Sequence, residues 1–141
     1  MLRFLITDDD DVTHAYLRHV LIGLGDVRHC FSGREALDAC KEALSDGAPF
    51  DCVLMDVLMP GLNGLETMDM MRTMHSDAAR PDPKFVIISC LTEMECRFEA
   101  KAPCEADRYI AKPFDRRTVL TALAGLGFGQ PPGAEEVEET W

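Results

Sequence analysis

The chain is short of positive charge. Lys and Arg number 14 against 25 Asp and Glu, a net charge of −11 in 141 residues. So acidic a balance argues against the clustered cationic face that direct nucleic-acid binding needs. Basic residues are missing altogether from the last twelve positions, which carry Glu135, Glu136, Glu138 and Glu139. Residues 128–141 therefore read as an acidic, disordered tail behind a single domain spanning 1–127. There is no apolar run long enough to span a bilayer and no signal peptide, which predicts a cytoplasmic protein with no membrane partner. The six cysteines (Cys30, Cys40, Cys52, Cys90, Cys96 and Cys104) include no C-x-x-C pair, and no Cys/His cluster has zinc spacing. Several fall in apolar runs and read as small buried hydrophobes, which suits a reducing compartment.

What is present is a series of apolar runs that end on charge. Arg3-Phe4-Leu5-Ile6-Thr7 reads as a strand that runs straight into Asp8-Asp9-Asp10-Asp11. Two carboxylates about 5 Å apart repel by roughly 3 kcal/mol at an effective dielectric near 20. Two offsets are available. Asp10 and Asp11 can cap the helix that follows, and Asp8 and Asp9 at the strand tip can hold a divalent cation. Cys52 to Met55 is a four-residue apolar run, read as a strand buried on both faces, and it ends on Asp56 before Pro60-Gly61 turns the chain.

The remaining segments alternate. Val12 to Gly23 reads as a helix with Val12, Ala15, Tyr16, His19, Val20 and Gly23 on one face. Val27 to Phe31 mixes polar and apolar positions, as an edge strand does. Ser32 caps a helix from Gly33 to about Ser45, with Glu35 placed for a capping box. Leu65 to about His75 is a third helix, whose Met68, Met71 and Met74 read as core, and Asn63 before it reads as a loop residue. Phe85 to Ser89 is the most apolar strand and belongs in the sheet interior. Thr92 to Ala102 reads as a short helix closed by Pro103. Arg108 to Ala111 is a strand ending in Lys112-Pro113, and Asp115 caps a last helix, Arg116 to Leu126.

Five strand–helix alternations predict an α/β fold: a doubly wound, flavodoxin-like, five-stranded parallel sheet in the order 2-1-3-4-5, with helices on both faces. That order sets the tips of strands one and three side by side. Asp8, Asp9, Asp56, Ser89 and Lys112 then share one rim.

Five such positions, in order and each at a strand end, resemble the receiver domain of two-component response regulators, with a likeness to the chemotaxis regulator. The resemblance covers residues 2 to about 126. It implies that Asp56 is the phosphoacceptor and that Asp8, Asp9, Asp56 and the backbone carbonyl of Leu58 bind Mg²⁺ or Mn²⁺. It further implies that Ser89 and Lys112 bind the phosphoryl group, that Tyr109 changes rotamer on activation, and that the Lys112-Pro113 bond is cis. The donor would be a sensor histidine kinase or a histidine phosphotransfer protein. None of His14, His19, His29 and His75 lies at a strand tip; they read as surface or satisfied residues. The output would be an unknown protein target, or a phosphorylation-dependent dimer, engaged through the segment from Thr92 to Leu126. Such a chain is a signalling phosphoacceptor rather than an enzyme, catalysing only its own phosphotransfer and dephosphorylation.

The match has departures. Glu105-Ala106, preceded by Pro103-Cys104, replaces a usual Gly-Ala pair, and Cys90 replaces a usual Ala. The resemblance also implies that Leu58 and Leu91, two residues past the acceptor and the switch hydroxyl, tune phosphoryl lifetime by admitting or excluding water, and two leucines there imply slow hydrolysis. Two other readings stand beside the main one. One is a degenerate receiver acting as an interaction module without phosphorylation. The other is a haloacid-dehalogenase-type phosphatase, in which Asp8-x-Asp10-x-Val12 would supply Asp8 as nucleophile.

Overall fold

The computed structural model describes residues 1–99 and 106–133. The strands are β1 (Leu2–Thr7), β2 (Gly25–Cys30), β3 (Cys52–Met55), β4 (Lys84–Ser89) and β5 (Arg108–Ala111). The helices between and after them are α1 (Asp11–Leu21), α2 (Gly33–Ser45), α3 (Gly64–Asp77), α4 (Glu93–Glu99) and α5 (Arg116–Gly125). The sheet is fully parallel in the order β2-β1-β3-β4-β5. This is the doubly wound flavodoxin-like arrangement expected from the alternation, with the polar β2 at one edge.

Period-two alternation along the central strands feeds two cores. Phe4, Ile6, Cys52, Leu54, Val86 and Ile88 meet Tyr16, Leu17 and Val20 of α1 and Val119 and Leu123 of α5. Leu5, Val53, Met55, Phe85 and Ile87 point the other way, onto Ala36 and Cys40 of α2 and Leu65, Met68 and Met71 of α3. All four residues of β3 are buried. Each such side chain contributes about 1.5–3 kcal/mol relative to exposure, which makes β3 a rigid base for the residue at its tip.

Helix starts follow side-chain caps. Asp10, Ser32, Asn63 and Asp115 each accept a bond from a backbone N–H of the first turn. Asn63 is more than a loop residue: with Glu66 it forms a reciprocal capping box, at 2.9 and 3.2 Å. Thr92 and Glu95 make the same exchange at the start of α4.

Three sequence expectations shift. The buried face of α1 is Thr13, His14, Tyr16, Leu17, Val20 and Leu21, while Val12, Ala15 and His19 are exposed. Two stripes of i, i+3, i+4 spacing share Tyr16 and Val20, and it is the sheet that selects between them. β2 begins at Gly25 rather than Val27, and a Cβ at Gly25 would overlap the carbonyl of Leu2 on the paired strand. Packing also continues past Gly127: Phe128 sits edge-on to Phe4, with centroids 5.9 Å apart, and Arg117 donates to the Gly133 carbonyl at 3.2 Å. Ala102, Pro103, Glu105 and the tail glutamates lie outside the described residues.

Candidate functional site

The site forms where the strand order reverses. Thr7 of β1 is in register with Met55 of β3, so the next residues, Asp8 and Asp56, stand side by side beyond the sheet. The Asp56 N–H donates to the Thr7 carbonyl at 3.0 Å and locks the two tips together. Asp8 is 2% exposed and Asp56 7% exposed, while Asp9 faces solvent. Carboxylate oxygens of Asp8, Asp9 and Asp56 all lie within 4.8 Å of one another. At that spacing each charged pair costs about 3 kcal/mol at an effective dielectric near 20.

Lys112 enters from the end of β5. Its Nζ donates to Asp8 Oδ2 at 2.8 Å and to Asp56 Oδ2 at 3.0 Å. Backbone donors take the other oxygens: Asp10 N–H to Asp8 Oδ1 at 2.9 Å and Leu58 N–H to Asp56 Oδ1 at 3.2 Å. The Lys112-Pro113 peptide is cis. The two ends of the Lys112–Asp8 pair respond differently to burial. Asp8 is raised above its ordinary 3.8, because loss of water outweighs the Lys112 hydrogen bond. For Lys112, burial pulls downward, but the bonds to Asp8 and Asp56 outweigh it and hold the ammonium above its ordinary value. Ionised Asp8 thus costs stability, and the cost appears as pH rises past 3.8.

This donor set fits a divalent cation. Three carboxylates share one pocket with one ammonium, which leaves negative charge that hard-cation binding would neutralise. Asp9 is the solvent-exposed member of the three.

Ser89 ends β4, buried, and its carbonyl accepts the Lys112 N–H at 2.9 Å, which ties it to the same rim. Its hydroxyl accepts from the Leu91 N–H at 3.3 Å. Tyr109 pairs with Ile87 and packs against the α2/α3 core. Its hydroxyl accepts from the Ala106 N–H at 3.3 Å, a bond directed to the segment before β5 rather than to the carboxylates. Asp10, the acid/base candidate of the phosphatase reading, is engaged as a helix cap: its two oxygens accept from Val12 N–H and the Thr13 hydroxyl at the start of α1.

Two contributors escaped the sequence reading. His14, buried in α1, lies within hydrogen-bond distance of the Asp8 carbonyl, a contact no local pattern marks. Gly64 opens α3 directly against Asp56: a Cβ there would overlap the Asp56 carbonyl and crowd Val57 Cα at 3.0 Å. Because the obstacle is backbone, it cannot rotate aside. Gly64→Ala should cost about 1–3 kcal/mol by overpacking, toward the upper end. Thermal melts check this, and a variant as stable as the parent would mean that the loop from Asp56 to Asn63 yields without cost.

A buried carboxylate bridged by lysine, at the switch point of a parallel α/β sheet, is an arrangement that can receive an anionic group under charge neutralisation. The family model for the response regulator receiver domain matches residues 4–124. The chain belongs to that family. It is 32% identical over 129 residues to the sensory/regulatory protein RpfC of Xanthomonas campestris pv. campestris, covering 89% of this chain and 16% of RpfC. It is 30% identical over 134 residues to the response regulator protein FleR of Pseudomonas aeruginosa, covering 95% of this chain and 26% of FleR. The chain therefore spans about a sixth and a quarter of those two relatives. Among solved structures, the chemotaxis protein CheY4 of Vibrio cholerae superposes with a TM-score of 0.72 at 30% identity, covering 89% of this chain and 98% of CheY4. As a receiver domain the chain is a signalling phosphoacceptor in two-component signalling. Among the described residues no helix is long and apolar enough to cross a membrane.

Proposed function

We propose that Asp56 is the phosphoacceptor, taking its phosphoryl group from a phosphohistidine on a partner. That partner is a sensor histidine kinase or a histidine phosphotransfer protein. The observation that carries this is the Lys112 ammonium bonded at once to Asp8 and Asp56, with the exposed Asp9 carboxylate beside them. An Asp56 carboxylate oxygen forms the new P–O bond as the P–N bond to the donor imidazole breaks and the imidazole leaves with the bonding pair. Positioning and charge neutralisation do most of this work. Lys112, freed from Asp56 Oδ2, offers its positive charge to the incoming phosphoryl oxygens. Asp8, Asp9, Asp56 and the Leu58 carbonyl would hold Mg²⁺ or Mn²⁺, which supplies further charge neutralisation when bound. The receiver proper spans 1–127 with Phe128 packed against it, the residues beyond form its tail, and the chain acts on its own phosphoryl group alone, working in the cytoplasm. A cavity of about 280 Å³ beside Lys112, lined by Val12, Tyr16, Pro113 and Phe114 among others, offers apolar ground for the donor protein.

The switch follows from the new charge. A phosphoryl group adds about −1.5 to −2 charge and strong acceptors. Ser89, by turning its hydroxyl from Leu91 toward that group, leaves space into which Tyr109 can move. A downstream target, or a second copy of the chain, reads the change on α4, β5 and α5.

Acetyl phosphate with Mg²⁺ should add one phosphoryl group per chain, read by intact mass. An unmodified chain would favour an interaction module that works without phosphorylation. Ser89→Ala should still accept the group but switch poorly. Losing one charge-assisted bond of about 1.5–3 kcal/mol lowers the active-to-inactive ratio by about 10- to 150-fold. Chemical shifts of the α4-β5-α5 face, with and without beryllofluoride, measure that ratio. Equal shifts in the parent and in Ser89→Ala would remove Ser89 from the switch.

A further inference from the structure

The geometry points to a His14–His29 pair as positioning residues for the acidic rim: His14 pins the peptide that joins Asp8 to Asp9, and His29 fixes the ring of His14. This rests on the Mg²⁺-binding reading above. His14 is 4% exposed on the inner face of α1. Its Nε2 is 2.7 Å from the Asp8 carbonyl oxygen. A carbonyl has no proton to give, so Nε2 carries hydrogen and donates. Its Nδ1 is 2.8 Å from Nδ1 of His29, the penultimate residue of β2. Two nitrogens that close share one hydrogen. In neutral His14 the hydrogen on Nε2 leaves Nδ1 as the acceptor, so His29 donates and thereby selects the tautomer that His14 needs. Phe31 stacks on the same ring, with centroids 4.1 Å apart and planes at 27°.

The held peptide is the one that matters to the rim. A peptide unit is planar, and Asp8 and Asp9 branch from its two ends, so its tilt aims both carboxylates. Asp8 has anchors of its own, since its N–H donates to the Cys30 carbonyl at 3.2 Å and its Oδ1 accepts from Asp10. Asp9 is exposed and takes its direction from the backbone that carries it. The His29–His14–Asp8 chain therefore bears most on Asp9. Partners that orient metal-binding groups from behind are worth about 10- to 100-fold in metal affinity.

The test is the Mg²⁺ dissociation constant of the full chain by calorimetry, with magnesium-free thermal unfolding in parallel. His14→Phe keeps the ring and its stack on Phe31 but deletes the donor, and should weaken Mg²⁺ binding by about 10-fold or more. His14→Gln restores an N–H donor and should recover most of the loss. His29→Phe should weaken binding less than His14→Phe, and it carries the comparison if His14→Phe fails to fold. A lowered melting temperature with Mg²⁺ affinity within about twofold of the parent, in both Phe variants that fold, would reduce the pair to packing and overturn the inference alone. A parent chain that binds no Mg²⁺ would overturn the metal reading as well.

Discussion

Asp56→Asn is expected to abolish the phosphoryl adduct completely, from one group per chain to none, under acetyl phosphate and Mg²⁺. An amide is no nucleophile here, and neither of the other carboxylates of the rim has the place of Asp56 at the tip of β3. Asp8 is gripped by Lys112 and by the Asp10 N–H, and Asp9 stands on the solvent side. The fold should survive. β3 remains buried, and the Asp56 N–H to Thr7 bond is backbone and untouched by the change. Removing one of three carboxylates that lie within 4.8 Å also relieves repulsion, which offsets the lost pairing with Lys112. The magnesium-free melting temperature should therefore stay within a few degrees of the parent, by about 1 kcal/mol in either direction. Intact mass and a thermal melt decide the matter. An adduct that persists in Asp56→Asn would move the acceptor to Asp8 or Asp9, and an unfolded variant would mean that Lys112 needs both partners to hold the rim.

Lys112→Met should produce the largest loss of stability at the site. The ammonium makes bonds of 2.8 and 3.0 Å to two nearly buried carboxylates, and deleting it leaves both without a counter-charge. Breaking a fully buried pair costs about 3–5 kcal/mol, and Lys112 keeps some contact with solvent, so about 2–3 kcal/mol is expected. In a chain of this size that lowers the melting temperature by roughly 6–9 °C. Mg²⁺ should restore more of the loss in the variant than it adds to the parent, because the cation replaces missing positive charge. The pH dependence has a definite sign. Lys112 is held above its ordinary 10.5, so its contribution is complete below that value and is lost as pH rises through the folded-state value. In Lys112→Met the deficit should shrink as pH falls, because Asp8, already raised from 3.8 by burial, then takes up a proton and sheds its unpaired charge. Melts of both proteins at several pH values, with and without Mg²⁺, test this. Equal stability at neutral pH would show that the Lys112 pairs only offset their own desolvation.

The sequence was informative where the physics is local. An apolar run of four residues can only be a strand covered on both sides or part of a buried helix, and the Asp and Pro-Gly that follow Cys52 to Met55 end it as a strand. Caps are equally short-ranged: Asp10, Ser32 and Asp115 announce their helices within three residues. Asn63 carries the same signal, with Glu66 three positions on, but the Pro-Gly and Gly residues around it also fit a loop. The phase of α1 was harder. Its two candidate stripes differ by one residue in register, and choosing between them requires the sheet surface that Tyr16, Leu17 and Leu21 meet.

By itself, then, the sequence determined the strand–helix alternation, the parallel sheet that alternation demands, and the charged residues that must sit at strand tips, because each depends on neighbours a few positions away. Only the tertiary structure decided which charges touch. Lys112 reaches Asp8 across 104 residues and Asp56 across 56, Gly64 lies where no Cβ fits beside the Asp56 carbonyl, and His14 comes to rest beneath the peptide joining Asp8 to Asp9. Those contacts follow from strand register and from the rotation of one helix against the sheet, and packing of the whole chain sets both.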